Sequence, residues 1–194
     1  MPDEPVTRLV GCCTRTGYRI HNLDKMLSEM LNKRTCWMAK SFEGEMAGVI
    51  FCEQDVLEKN PSQTPCKADY RDQGWPEDFT EVMLLLDQLC DHQKLMKDKG
   101  VDQLLDLFAL VISPNFRKQG LASRLIAKAV SEAEKMLMPL ISISCTSSFS
   151  QRCSIKLGFS HEKTIEYKTW NTVWKNAIDP VHPTAVLYFK YLFV

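Results

Sequence analysis

The apolar residues of this chain fall into two rhythms, one helical and one of extended strands. Val6, Leu9 and Val10 follow Pro5 at helical spacing, with Gly11 as a stop, and predict a first helix. Leu23, Met26, Leu27, Met30 and Leu31 predict a second. Residues 36–40 and 46–52 read as two strands joined by a hairpin turn at Glu43-Gly44. Residues 58–76 are polar, are punctuated by Pro61, Pro65, Gly74 and Pro76, and predict a surface loop. A single helix is expected over residues 78–99, ended by Gly100.

The second half reads more sharply. Residues 104–112 form an apolar run broken only by Asp106, the pattern of a strand buried on both faces. Ala122, Leu125, Ile126, Ala129, Val130, Ala133, Met136 and Leu137 then mark a long amphipathic helix. Residues 140–145 read as the next strand, so a strand, helix and parallel strand are expected in succession. A short helix at 150–157, closed by Gly158, and strands at 162–170 and 185–193 complete an α/β pattern.

The chemistry concentrates where that buried strand meets the long helix. Arg117-Lys118-Gln119-Gly120-Leu121-Ala122 reads R-x-x-G-x-A. A turn opening a helix presents free backbone N–H groups and the positive end of the helix dipole, which together suit an anion. Gly120 has no Cβ to hold a diphosphate away from the backbone. The stretch lacks the Gly-Lys-Ser/Thr of a Walker loop and the three glycines of a dinucleotide fingerprint.

Composition narrows the partners. Lys plus Arg and Asp plus Glu each number 24, so the formal net charge is zero, which argues against non-specific nucleic-acid binding. No run of about 18 apolar residues is present, so no membrane span is expected. The acidic opening Met1-Pro2-Asp3-Glu4 has no apolar leader pattern. The eight cysteines form no C-x-x-C pair and are expected as reduced thiols of a cytoplasmic monomer with no bound metal.

The R-x-x-G-x-A stretch resembles the coenzyme A pyrophosphate loop of the GNAT acetyltransferases, patterned Q/R-x-x-G-x-G/A. Downstream, the segment ending Leu157-Gly158-Phe159 resembles the N-x-x-A-x-x-x-Y-x-K-L-G-F segment of that superfamily. Ser147 stands at its asparagine and Ser150 at its alanine. Ser154 stands where the family often carries a tyrosine acid, so that phenol is missing. Cys145-Thr146-Ser147-Ser148-Phe149-Ser150 resembles the C-S-S-x-Y-S segment of insect arylalkylamine N-acetyltransferases. Asp3-Glu4-Pro5-Val6 resembles the D-E-P-L opening of their first helix, and Pro180-Val181-His182-Pro183 their late P-P-H segment.

The resemblance implies one GNAT acyl-CoA N-acyltransferase domain over residues 1–194. Its α/β architecture would be a central mixed, twisted sheet in an α+β layered arrangement, flanked by helices. The family's first strand, ahead of D-E-P, would be missing. It implies acetyl-CoA as cosubstrate and a small amine as acceptor, of the dopamine, serotonin, tyramine or octopamine type. Glu4 is then the general base, with Thr146 and Ser150 as further catalytic candidates. Coenzyme A contacts fall on Leu110, Val111 and Ile112, on Arg117, Lys118, Gln119, Gly120, Leu121, Ala122 and Ser123, and on Ser147 and Ser150. Phe51, Trp75, Phe149 and Trp170 are candidates for an aromatic amine pocket. A polyamine acetyltransferase and a catalytically weak acyl-CoA-binding protein are the rival readings.

Overall fold

The computed structural model describes residues 20–59, 67–170 and 181–193. The first predicted helix and Glu4 lie outside them. A six-stranded mixed sheet forms the centre, ordered β1-β2-β3-β4-β6-β5. Its strands are β1 (Trp37–Lys40), β2 (Met46–Val56), β3 (Gln103–Ile112), β4 (Leu140–Cys145), β5 (Ser160–Glu166) and β6 (Thr184–Tyr191). Only β3 and β4 run parallel; each remaining neighbour pair is antiparallel. The strand–helix–strand reading of residues 104–145 therefore holds.

Helices cover both faces. One face carries α1 (His21–Asn32), α2 (Lys67–Asp72), α3 (Glu77–Leu89) and α4 (His92–Lys99). There Phe79, Val82, Leu85, Leu89 and Met96 pack on Leu104, Leu140 and Leu187. The other face carries α5 (Leu121–Lys135), whose Leu125, Ile126, Ala129 and Ala133 meet Ile50, Leu105, Ile141 and Val186. These are alternate residues of the same strands, as a two-sided sheet requires. No helix among the described residues is long and apolar enough to cross a membrane.

Four expectations need correction, each for a packing reason. Residues 78–99 are two helices, because Cys90 and Asp91 are extended and the Asp91 carboxylate accepts from Lys94 N at 2.9 Å, starting α4 afresh. The predicted loop at 58–76 contains α2. Buried Tyr70 pins that helix by bonding Asp87 and meeting Trp75 edge-on, and Trp75 stacks on Phe79. Strand β5 ends at Glu166 rather than 170, since the fully buried Tyr167 turns inward and its hydroxyl donates to Thr146 O at 2.6 Å. Finally, β3 is fully buried only in its first half; residues 108–112 are half-buried.

Those half-buried residues mark the main irregularity of the sheet. Pairing of β3 with β4 runs from Leu104↔Leu140 to Leu107↔Ile143 and then stops. Beyond it, β3 keeps only β2, through Ala109↔Phe51 to Ile112↔Gly48, and β4 keeps only β6. At the same level, Phe51↔Ala109 and Glu53↔Asp106 enclose one residue on β2 but two on β3. Leu107 and Phe108 therefore form a β-bulge opposite Cys52, and a bulge bends its strand and raises local twist. Truncating the fully buried Ile126 side chain in Ile126→Ala is expected to cost about 2–5 kcal/mol of stability, read by urea titration. Phe42→Ala, at the fully exposed hairpin tip, should stay within about 0.5 kcal/mol of the parent on the same urea titration.

Candidate active site: the opening between β3 and β4

Two helices start where the parallel strands part, and their N-termini differ. Helix α6 (Ser148–Lys156) follows β4 and is capped from within. Ser147 Oγ accepts from Ser150 N at 3.2 Å, and Ser150 Oγ accepts from Ser147 N at 3.3 Å. This capping box satisfies two of the donors that a helix start otherwise leaves free. His182 adds a third partner, its Nδ1 accepting from Ser148 N at 3.1 Å.

Helix α5 follows β3 and has no such cap. Its N-cap is Gly120, with φ of 73° and no side-chain bond to the first turn, and no acidic residue occupies that turn. The N–H groups of Leu121, Ala122 and Ser123 therefore lack intrahelical acceptors by helix geometry. Lys118 also has a left-handed φ of 60°, which costs a non-glycine residue about 1–2 kcal/mol. Left-handed residues in such a turn point successive N–H groups into one concavity, a nest for an anion. A Cβ built on Gly120 meets nothing within 4 Å, so it would project into open space. Arg117 Nε donates to Ile112 O at 3.3 Å and ties the turn back to the end of β3. Backbone donors, a helix dipole and open space fit a diphosphate.

The residues singled out in the sequence divide as follows. Arg117, Lys118, Gln119, Gly120, Leu121, Ala122 and Ser123 form the turn and first turn of α5. Leu110, Val111 and Ile112 lie on the stretch of β3 whose β4-facing edge has no strand partner, so alternate N–H and C=O groups of that edge face the opening. Thr146 joins β4 to the cap residue Ser147. Ser123 Oγ lies 3.6 Å from Cys153 Sγ, which brings the start of α5 against α6. Ser150 is inside the capping box, and its hydroxyl donates to Ser147 O at 2.8 Å. The four aromatic candidates are dispersed. Trp75 and Trp170 pack against the α3 core, Phe51 pairs with Ala109 across the β2–β3 ladder, and Phe149 is exposed on α6 between Arg152 and His182.

One group near the opening interrupts the apolar pattern of β3 for a structural reason that spacing does not show. Asp106, the lone carboxylate of the apolar β3 run, is buried and accepts from Ser142 Oγ at 2.6 Å. His92 lies beside it, with Nδ1 only 2.5 Å from Asp55 Oδ2. Burial opposes charge on that imidazole, yet Asp106 and Asp55 raise its pKa well above the ordinary value. A carboxylate flanked by leucines in an otherwise almost wholly apolar strand was the available signal.

With the opening and the α5 cradle described, comparison with solved structures identifies the architecture. Arylalkylamine N-acetyltransferase 2 from Aedes aegypti superposes with a TM-score of 0.86, covering 99% of this chain and 88% of that one at 24% identity. This is the GNAT fold. A Drosophila melanogaster polyamine N-acetyltransferase that forms N-acetylagmatine matches at a TM-score of 0.76 and 19% identity, covering 98% of this chain and 88% of its own. A mosquito arylalkylamine N-acetyltransferase-like protein, 5b, gives 0.79 at 16% identity with the same coverage. No protein-family model matches the chain, and no curated protein sequence matches it. The mixed, open six-stranded sheet flanked by helices is thus the GNAT architecture expected from the two central motifs.

The thiols around the opening should be distinguishable. Cys145 is fully buried beside Ser154, and burial pushes its thiol up to about 11. Only about one in a thousand Cys145 side chains is then thiolate at pH 8, the form that alkylates. Half-exposed Cys153 is expected to react with iodoacetamide at pH 8 while Cys145 stays unmodified, as read by peptide mass spectrometry.

Proposed function

We propose that this chain, as a single domain, transfers the acetyl group of acetyl-CoA to the primary amine of a small molecule, with arylalkylamines ahead of polyamines as acceptors. The reading rests on one observation: an uncapped helix N-terminus with an open glycine cradle stands beside a parallel strand pair that parts after Leu107 and Ile143. Acetyl-CoA supplies the electrophile, an acetyl thioester. The N–H groups of residues 118–123 would hold its diphosphate, and the free edge of β3 at Leu110, Val111 and Ile112 would hold the pantetheine and the thioester oxygen. A cradle of fixed backbone dipoles stabilises developing oxyanion charge without reorganising.

An amine acceptor reaches the site protonated, with a pKa near that of lysine, about 10.4. Glu4 is proposed to take that proton, directly or through water, before the nitrogen attacks the carbonyl. Its support is the D-E-P resemblance, and it lies outside the described residues. Ser150 and Thr146 are proposed to orient water or return a proton to the departing sulfur. Ser150 would have to turn its hydroxyl away from Ser147 O to do so. The preference for an arylalkylamine rests on the C-S-S-x-Y-S-like segment at 145–150 together with the D-E-P-like opening.

Two experiments test this. The first compares Gly120→Ala with Gly100→Ala, since both glycines have a positive φ and open space at the missing Cβ. Both should lose about 1–2 kcal/mol of stability from left-handed strain. Calorimetry should show coenzyme A affinity falling at least tenfold in Gly120→Ala alone; equal affinities would remove the cradle assignment. The second measures free thiol release from acetyl-CoA across arylalkylamines and polyamines, for the parent chain and Glu4→Ala. Turnover on arylalkylamines that is lost in Glu4→Ala, or displaced to higher pH, is expected. Turnover on spermidine alone would reassign the acceptor, and coenzyme A binding without thiol release would leave a binding protein.

A further inference from the structure

We propose that Cys90, His92 and Asp106 bind one zinc-class divalent transition-metal ion, at a site independent of the acetyl-transfer reading. The break between α3 and α4 creates the arrangement. Cys90 caps the end of α3, His92 opens α4, and Asp106 sits in β3 beneath them. A cysteine Sγ, an imidazole nitrogen and a carboxylate oxygen from these three residues lie within 4.8 Å of one another.

The orientation of His92 points to a ligand. Its Nδ1 is taken up by Asp55 Oδ2 at 2.5 Å. Its Nε2 is buried and has no hydrogen-bond partner, although Asp106 Oδ1 is 3.4 Å away. At 3.4 Å the two groups are paired by charge but make no hydrogen bond, so this buried nitrogen lacks the directional partner that a bound ion would supply. Tetrahedral zinc holds nitrogen and oxygen ligands at about 2.0–2.1 Å, which sets them about 3.3–3.4 Å apart. The separation between Nε2 and Oδ1 has that length. An ion between them would satisfy both atoms.

The surroundings supply what ligands of this kind require. Metal-binding histidines donate their second ring N–H to a carboxylate, and Asp55 stands in that place. Ser142 Oγ donates to Asp106 Oδ1 at 2.6 Å and fixes the carboxylate. Thiolate, imidazole and carboxylate together suit zinc rather than calcium or magnesium, which take oxygen ligands. Three protein ligands leave a fourth position of a tetrahedral ion for water. The cysteine spacing concealed the site because only one of its ligands is a cysteine and the others come from the next helix and a strand.

The test uses the full chain, purified without a polyhistidine tag and stripped with chelator. Zinc is titrated in competition with a chromophoric chelator, and cobalt serves as the spectroscopic probe. One zinc per chain is expected, and the cobalt form should show a thiolate charge-transfer band. Cys90→Ser should abolish that band and weaken zinc binding at least 100-fold. Asp106→Asn should weaken it as well. Asp55→Asn, which leaves all three ligands in place, should weaken it about 10–100-fold. Circular dichroism of each variant guards against unfolding. Absence of saturable zinc binding by the parent chain would overturn the proposal and leave His92 as an ion-paired bridge between Asp55 and Asp106. Stoichiometric binding unchanged in both Cys90→Ser and Asp106→Asn would overturn it equally, by placing the ion elsewhere.

Discussion

The parting of β3 from β4 after Leu107 and Ile143 is the constraint on which the candidate active site depends. Up to that level the two strands share hydrogen bonds and their leucines and isoleucines fill both faces of the sheet. Beyond it each strand keeps one neighbour, and two rows of peptide groups face a gap. The bulge at Leu107 and Phe108, opposite Cys52, coincides with the break. An extra residue on β3 turns it away from β4 while its ladder with β2 continues. The gap is therefore bounded by the bulged β3 and by the ladders that β2 and β6 keep on either side.

The same opening explains why two neighbouring helix starts behave differently. Helix α6 closes its own N-terminus through Ser147 and Ser150, with His182 bonding Ser148 from across the fold. Helix α5 begins on a left-handed glycine and leaves the N–H groups of its first turn without a side-chain cap. The left-handed φ of Gly120 excludes a side-chain cap there without strain, so the turn forgoes the side-chain bonds that close α6. With Lys118 also left-handed, this turn is a local concentration of backbone strain beside the opening.

On the opposite face, the sheet carries a second departure. Asp106 occupies a strand position where each sequence neighbour is leucine, and a buried carboxylate is tolerated only with partners. Ser142 on β4 provides one at hydrogen-bond distance, and His92 lies on the other side, itself held by Asp55 on β2. The kink at Cys90–Asp91 makes this possible, because a continuous helix would carry residue 92 onward along its axis. The break in the helix and the polar position in the strand are parts of one arrangement.

Much of this architecture was legible in the chain. The long stripe from Ala122 to Leu137, the apolar run before it and the R-x-x-G-x-A turn between them define the βαβ unit through local periodicity alone. The Gly44 hairpin and the Gly158 stop followed from backbone conformations that glycine adopts readily. Less legible were elements whose boundaries are set by distant partners: α2, pinned by Tyr70 on Asp87; the end of β5, where Tyr167 turns in toward Thr146; and the division of α3 from α4. Side-chain spacing along the chain reports which residues share a face. It does not report where a strand loses its neighbour, that β6 inserts between β4 and β5, or that Asp55, Cys90, His92, Asp106 and Ser142 converge. Those relations join residues far apart in sequence, and only the packed sheet and its flanking helices bring them within hydrogen-bonding range.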